Sequence, residues 1–208
     1  FGRALDLDQA PAPRHDDVQV DIGPGVVLVV EVEESGAAHQ AHTHRGEVVA
    51  LAQAEGLLKR ADQQLDAGDR QGAAANYLAA LEERPDLYDA HLGLTRTIEP
   101  GSVDLVVWAE DSFGGSANPT FNPEVAGQMA GEAVRIGAYL VAGGSRSAGP
   151  TAWDNYNVLL GPNGAVLGEY MKRHPVPFGE FVPMRNLLKF IPQLHQVPRD
   201  LRRGEGPV

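Results

Sequence analysis

Residues 103–109 read Val103-Asp104-Leu105-Val106-Val107-Trp108-Ala109, and the elements on their C-terminal side give this stretch its place in a fold. The run is apolar except for Asp104, the pattern of a strand buried on both faces. Asn122 and Pro123 then stand where a helix N-cap and a first-turn proline belong, ahead of PEVAGQMAGEAVRI at 123–136. GAYLVAG at 137–143 is a second buried strand. Residues 156–161 and 165–170 flank Pro162-Asn163-Gly164, and Asn-Gly is a strong hairpin signal. Strand, helix, strand and hairpin in that order predict an α/β fold, a mixed sheet with helices packed on it.

Upstream, EVVALA at 47–52 is expected to form a short strand, and residues 54–95 are expected to be helical. Leu57, Leu58, Ala61 and Leu65 recur at spacings of three and four. Gly68-Asp69 breaks that helix. Ala73, Ala74, Tyr77, Ala80 and Leu81 line a second, and Pro85 stops it because proline lacks an N–H and restricts its predecessor. Leu58, Leu65, Tyr77 and Leu81 should face inward. A third helix is expected from Asp86 to about Thr95. Gly68-Asp69, Ala73, Tyr77, Ala80 and Pro85 also fall at the spacings of one tetratricopeptide repeat, so this hairpin resembles a single such unit. An ordinary helical hairpin packed on a sheet accounts for the same pattern, since lone repeats lack the neighbours that bury their faces.

Residues 1–46 read as an extension or linker with one strand, 26–33, and residues 47–208 as the main domain. His39, His42 and His44 form an HxxHxH cluster that could bind Zn²⁺ or Ni²⁺, but no fourth ligand is evident and incidental loop histidines explain it better. The chain has 208 residues, 43% of them apolar, enough for one domain with a real core. It has no cysteine, so no disulfide and no thiol nucleophile arises from it. The longest apolar run, VVLVV at 26–30, falls far short of the roughly 20 residues that cross a bilayer. Phe1 is not an initiator Met, and the chain reads as a piece of a longer one. Net charge is −11, which disfavours nucleic acid. The charge reverses along the chain: residues 171–208 carry 7 bases and 3 acids, a stretch suited to anionic lipid head groups or simply to water.

Glu110 ends the first strand, Lys172 comes just after the hairpin, and Glu180 closes His174-Pro175-Val176-Pro177-Phe178-Gly179-Glu180. A carboxylate among apolar groups can act as a base near neutrality, and a lysine beside it can stabilise an oxyanion. That pair suits acyl transfer. The three are expected to converge, because the strand and the hairpin must end on the same side to build one site.

Residues 104–110 (DLVVWAE), Tyr156-Asn157 and the block from Gly168 through Lys172-Arg173-His174 to Glu180 and Pro183 together resemble the apolipoprotein N-acyltransferases. Val197-Pro198-Arg199-Asp200 and Arg203-Gly204 are similar to actinobacterial members. The resemblance covers about 102–208, with 47–54 as a possible first core strand. It implies a nitrilase-like α-β-β-α sandwich on the extracytoplasmic side of the inner membrane, held there by transmembrane helices. It implies Glu110 as general base, Lys172 as oxyanion stabiliser and Glu180 as a second active-site carboxylate. Trp108, His174 and Phe178 would line the substrate. It implies no cofactor. The acyl chain would pass from a phospholipid to a cysteine thioester, then to the N-terminal amine of an apolipoprotein. In the family that cysteine lies downstream of the position matching Val208. Ala109 and Pro175 stand where the family has Pro and Leu, and residues 54–95 are atypical between its first core strands. Without the thiol, the chain alone is expected to be inactive. Two other readings fit parts of the pattern: a soluble carbon–nitrogen hydrolase with amidase activity, and a non-enzymatic peptide-binding module built on residues 54–95.

Overall fold

The computed structural model describes residues 27–29, 44–188 and 190–205. Strand β1 (Val27–Val29) pairs in parallel with β2 (Leu105–Val107), and β2 in parallel with β3 (Tyr139–Ser147). Strand β4 (Ala152–Leu160) returns antiparallel to β3, and β5 (Val166–Met171) antiparallel to β4. Strand β6 (Asp200–Leu201) lies parallel to the start of β4, beyond the point where β5 leaves it. The fold is mixed α/β, as the order of elements predicts.

The turn at Asn163-Gly164 forms where Asn-Gly demands it: Gly164 has φ +76°, and the Asn163 side chain accepts the Ala165 N–H. Helix α4 (Pro123–Ile136) begins at Asn122, whose side chain accepts the N–H groups of Glu124 and Val125, and ends at left-handed Gly137. Its residues Met129, Ala133 and Ile136 cover one face of the sheet, against Val106, Leu140, Ala142, Tyr156, Val158 and Leu160.

Three helices lie between β1 and β2 in sequence: α1 (His44–Asp66), α2 (Arg70–Glu83) and α3 (Tyr88–Arg96). Residues 47–52 are therefore helix, not strand. A short apolar run does not distinguish the two periods, and here it continues in register into Ala54 and Ala61, which are fully buried, while Val49 and Leu51 face solvent. The strand that pairs with β2 comes from the 26–33 segment instead. The rest of that segment and the side chains of His39, His42 and His44 lie outside the described residues.

Ala54, Ala61, Ala73, Tyr77, Ala80 and Leu81 form a second core with Ala90 and Leu94, and Leu58 and Leu65 pack on it half-buried. The inward face of the hairpin is the one expected, but it rests on α3 rather than on the sheet. Helix α3 is buried from Ala90 to Thr95, with its other side on the sheet core through Tyr88 and Leu92. No helix among the described residues is long and apolar enough to cross a membrane.

Candidate active site

Glu110 lies three residues past β2. Its Cα sits against Gly143 of β3, where an added Cβ would stand 3.1 Å from it and 3.0 Å from the Ala109 carbonyl oxygen. A glycine at 143 is what lets the strand's continuation approach so closely. Lys172 lies one residue past β5. Its backbone N–H still donates to the Asn155 carbonyl at 2.9 Å, so the pairing with β4 sets where its side chain leaves the sheet. Glu180 is carried by a tight loop in which Phe178 N–H donates to Phe181 O at 2.7 Å and Glu180 N–H to Val176 O at 2.9 Å. Its Oε2 accepts the Val176 N–H at 2.7 Å.

The Lys172 ammonium donates to Glu110 Oε1 at 2.8 Å and to Glu180 Oε1 at 2.8 Å. Residues 62 and 8 positions apart in sequence thus meet at one nitrogen. Partial burial pulls the Lys172 pKa down, but hydrogen bonds and charge from Glu110 and Glu180 outweigh it and hold the ammonium above the usual lysine range. It is a fixed cation at any physiological pH. Two of its three N–H bonds are engaged, leaving one for an incoming oxygen.

Glu110 differs from expectation. Its side chain is 55% exposed, against 17% for Glu180, so no apolar pocket encloses it. The sheet face on which the cluster stands has no second layer among the described residues: Tyr139, Leu167 and Tyr170 on that side are exposed. Glu110 is instead oriented by polar contacts. Asn155, buried within β4, donates from Nδ2 to Glu110 Oε1 at 2.5 Å. Sequence reading missed Asn155 because it started this strand at Tyr156. The available signal was a polar pair, Asp154-Asn155, directly ahead of an apolar strand.

Trp108 does not join the site. It is 2% exposed, its indole donates to Thr95 Oγ1 at 2.8 Å, and it stacks on His91. It shares the helix side of the sheet with Val106, and the chain leaves strand geometry after Val107, so Glu110 comes out on the other face. His174 and Phe178 are exposed on the loop that carries Glu180, and neither hydrogen-bonds the three central side chains. Ser112, a conceivable hydroxyl nucleophile, is fully buried and donates to the Gly143 carbonyl. The non-glycine residues with positive φ among those described are Asp111, Phe178 and Met184, all flanking Glu110 or Glu180. Such conformations cost energy and collect at functional sites.

Over about half its length the chain is similar to apolipoprotein N-acyltransferases. It is 35% identical over 114 residues to the one from Sinorhizobium medicae, an alignment covering 51% of this chain and 21% of that protein. It is 30% identical over 120 residues to the one from Rickettsia prowazekii, covering 56% and 23%, and 36% identical over 100 residues to the one from Geobacter metallireducens, covering 45% and 18%. The chain spans about a fifth of the length of these curated relatives. No family model matches it. Among solved structures, an amidase from Nesterenkonia sp. aligns with 58% of this chain and 41% of its own at 19% identity and TM-score 0.35. A carbon–nitrogen hydrolase from Helicobacter pylori aligns with 56% and 36% at 19% identity and TM-score 0.29.

Proposed function

We propose that this chain is the base-and-lysine part of an apolipoprotein N-acyltransferase of the nitrilase type. The single observation that carries the reading is the Lys172 ammonium bridging the Glu110 and Glu180 carboxylates. Glu110, the more exposed carboxylate, is the general base. It takes the proton of a cysteine thiol supplied by the parent protein, and the thiolate attacks the ester carbonyl of a phospholipid. The remaining Lys172 N–H stabilises the oxyanion, and collapse expels the lysophospholipid, whose leaving oxygen takes the proton from Glu110, and leaves a thioester. The N-terminal amine of a diacylglyceryl-cysteine lipoprotein then attacks the thioester, Glu110 takes its proton, and the departing cysteine thiolate receives that proton as the amide forms. Glu180, held by the Val176 N–H, keeps Lys172 charged and aimed. His174 and Phe178, exposed beside Glu180, line the substrate. The parent protein sits in the inner membrane with this part facing outward, and a second sheet completes the nitrilase-like sandwich over the bare face.

Neither Glu110 nor Lys172 replaces a thiolate, and Ser112 is buried, so the 208-residue chain alone forms no acyl-enzyme. Incubation with phospholipid vesicles followed by mass spectrometry should show no acyl adduct. The parent protein containing its cysteine should form one, and Glu110→Gln should reduce adduct formation at least about a thousandfold. An adduct on the 208-residue chain that vanishes in Lys172→Ala would place the nucleophile within these residues and overturn the assignment.

A further inference from the structure

We propose that Asp154 is a positioning residue for Lys172 and Glu180, acting through Arg202, which directly follows the short strand β6. The inference rests on the reading of those two residues as active-site groups. After Lys172 the chain leaves the edge of β4, and residues 200–204 return to fill the vacated edge. Asp200 N–H donates to Thr151 O and Arg202 N–H to Trp153 O, both at 2.9 Å. From that position two further bonds reach the site. Leu201 N–H donates to Glu180 O at 2.7 Å, and Gly204 N–H donates to Lys172 O at 2.9 Å. One five-residue stretch thus holds the backbones of both residues. Gly204 is required there, since a Cβ would fall 2.4 Å from the Met171 carbonyl oxygen.

Strand β6 is only two residues long and buries one apolar side chain, Leu201, so a side-chain bond beside it adds much to what holds it in place. The Arg202 guanidinium donates from Nε and Nη2 to the two oxygens of Asp154, each at 2.6 Å. The Asp154 side chain is 2% exposed and also accepts from Arg146 Nε at 3.2 Å. Arg146 lies 4.2 Å over the Tyr156 ring and reaches Glu169 at 2.9 Å, which fixes the network to β4 and β5. Arg202 first, then Arg146, hold the Asp154 carboxyl below the usual range against the burial that pushes it up. A bidentate pair with one buried partner has a single geometry and transmits it to the backbone it carries. Asp200 anchors the other end, but its carboxylate serves Val182 and Arg185, away from Lys172.

The test is NMR of the Lys172 side-chain nitrogen and of amide exchange in the 208-residue chain. In Asp154→Asn and in Arg202→Met, the Lys172 titration midpoint should fall toward that of a free lysine. Exchange at Leu201 and Gly204 should quicken at least about tenfold. Arg202→Lys, which keeps the charge but not the fork, should give an intermediate result. Glu180→Gln sets the scale for direct loss of one partner. Folded variants with an unchanged Lys172 midpoint would overturn the proposal and leave Asp154 a purely structural ion-pair partner. Should Asp154→Asn fail to fold, Arg202→Met decides, because that side chain is 54% exposed. Neither readout involves a thiol or an acyl donor, so failure here leaves the acyl-transfer reading intact, and failure of that reading leaves this result interpretable.

Discussion

Tyr77 and Trp108 are both almost fully buried, yet they close different parts of the molecule. Tyr77 belongs to a core of small side chains. Alanines at 54, 61, 73, 80 and 90 let three helices approach, and the ring lies directly over Gly93, where a Cβ would be 2.3 Å from it. Its hydroxyl leaves that core to donate to Asp62 at 2.6 Å. Trp108 belongs to a core of large side chains between sheet and helices, and it bridges to α3 through Thr95, His91 and Tyr88. The helical segment has its apolar residues covered on the inside. Among the described residues the sheet has one covered face and one bare face, and the candidate catalytic groups stand on the bare one. Packing and chemistry are thus separated by the thickness of a single sheet.

The largest effect should come from the seam between the two regions. Trp108→Ala should destabilise the chain by about 3–5 kcal/mol and broaden or split its thermal transition, because it removes the contact by which α3 reports on the sheet. A single transition of unchanged sharpness and midpoint would show that the regions do not depend on that ring.

Acid should act on the same seam. His91 is fully buried, with Nε2 against the Pro85 carbonyl and Nδ1 without a partner. Burial pushes its pKa down to about 4, against the opposing pull of Pro85 and Asp86. The folded state thus prefers the neutral ring. The stability it contributes is complete above about pH 6.5 and is lost as pH falls toward 4 and below, a total of about 3 kcal/mol. Urea denaturation across that range should show the slope, and His91→Phe should remove this part of it. An unchanged slope in that variant would mean the ring is not buried as described.

The smallest effect should come from the bare face. Leu167→Thr should shift stability by no more than about 0.5 kcal/mol in this chain, since Leu167 is 53% exposed. A loss above about 2 kcal/mol on chemical denaturation would mean that face is already covered.

The features legible in the sequence were local in origin. Asn163-Gly164, Asn122-Pro123 and Pro85 set their elements by backbone chemistry that needs no partner, and the helical face of Tyr77 and Leu81 comes from spacing alone. The meeting of Glu110 with Lys172 was readable because a strand end and a hairpin end constrain each other. The features that stayed hidden depended on tertiary context. The helix at 47–52 came from continuation into buried Ala54. Trp108 faces the helices because the strand ends at Val107 and the chain bends before Glu110, a break that the run of apolar residues concealed. Exposure of Glu110 reflects the lack of a layer over it among the described residues, and the sequence neighbours of a residue say nothing about that. Asn155 and Asp154 act across strands, where register rather than residue type decides.

Phe178 and Met184 hold left-handed backbone at φ +64° and +49° on either side of Glu180. Glycine would adopt those angles at lower cost, so replacement by Gly is an open route to a more stable fold at each position. A β-branched residue is closed to both. The segment around Glu180 therefore has a lopsided mutational neighbourhood: drift toward Gly would ease the bend but widen the range of shapes the loop samples, while drift toward Val or Ile would break it. A lineage that keeps bulky side chains there accepts a permanently wound loop in exchange for a carboxylate that returns to one place.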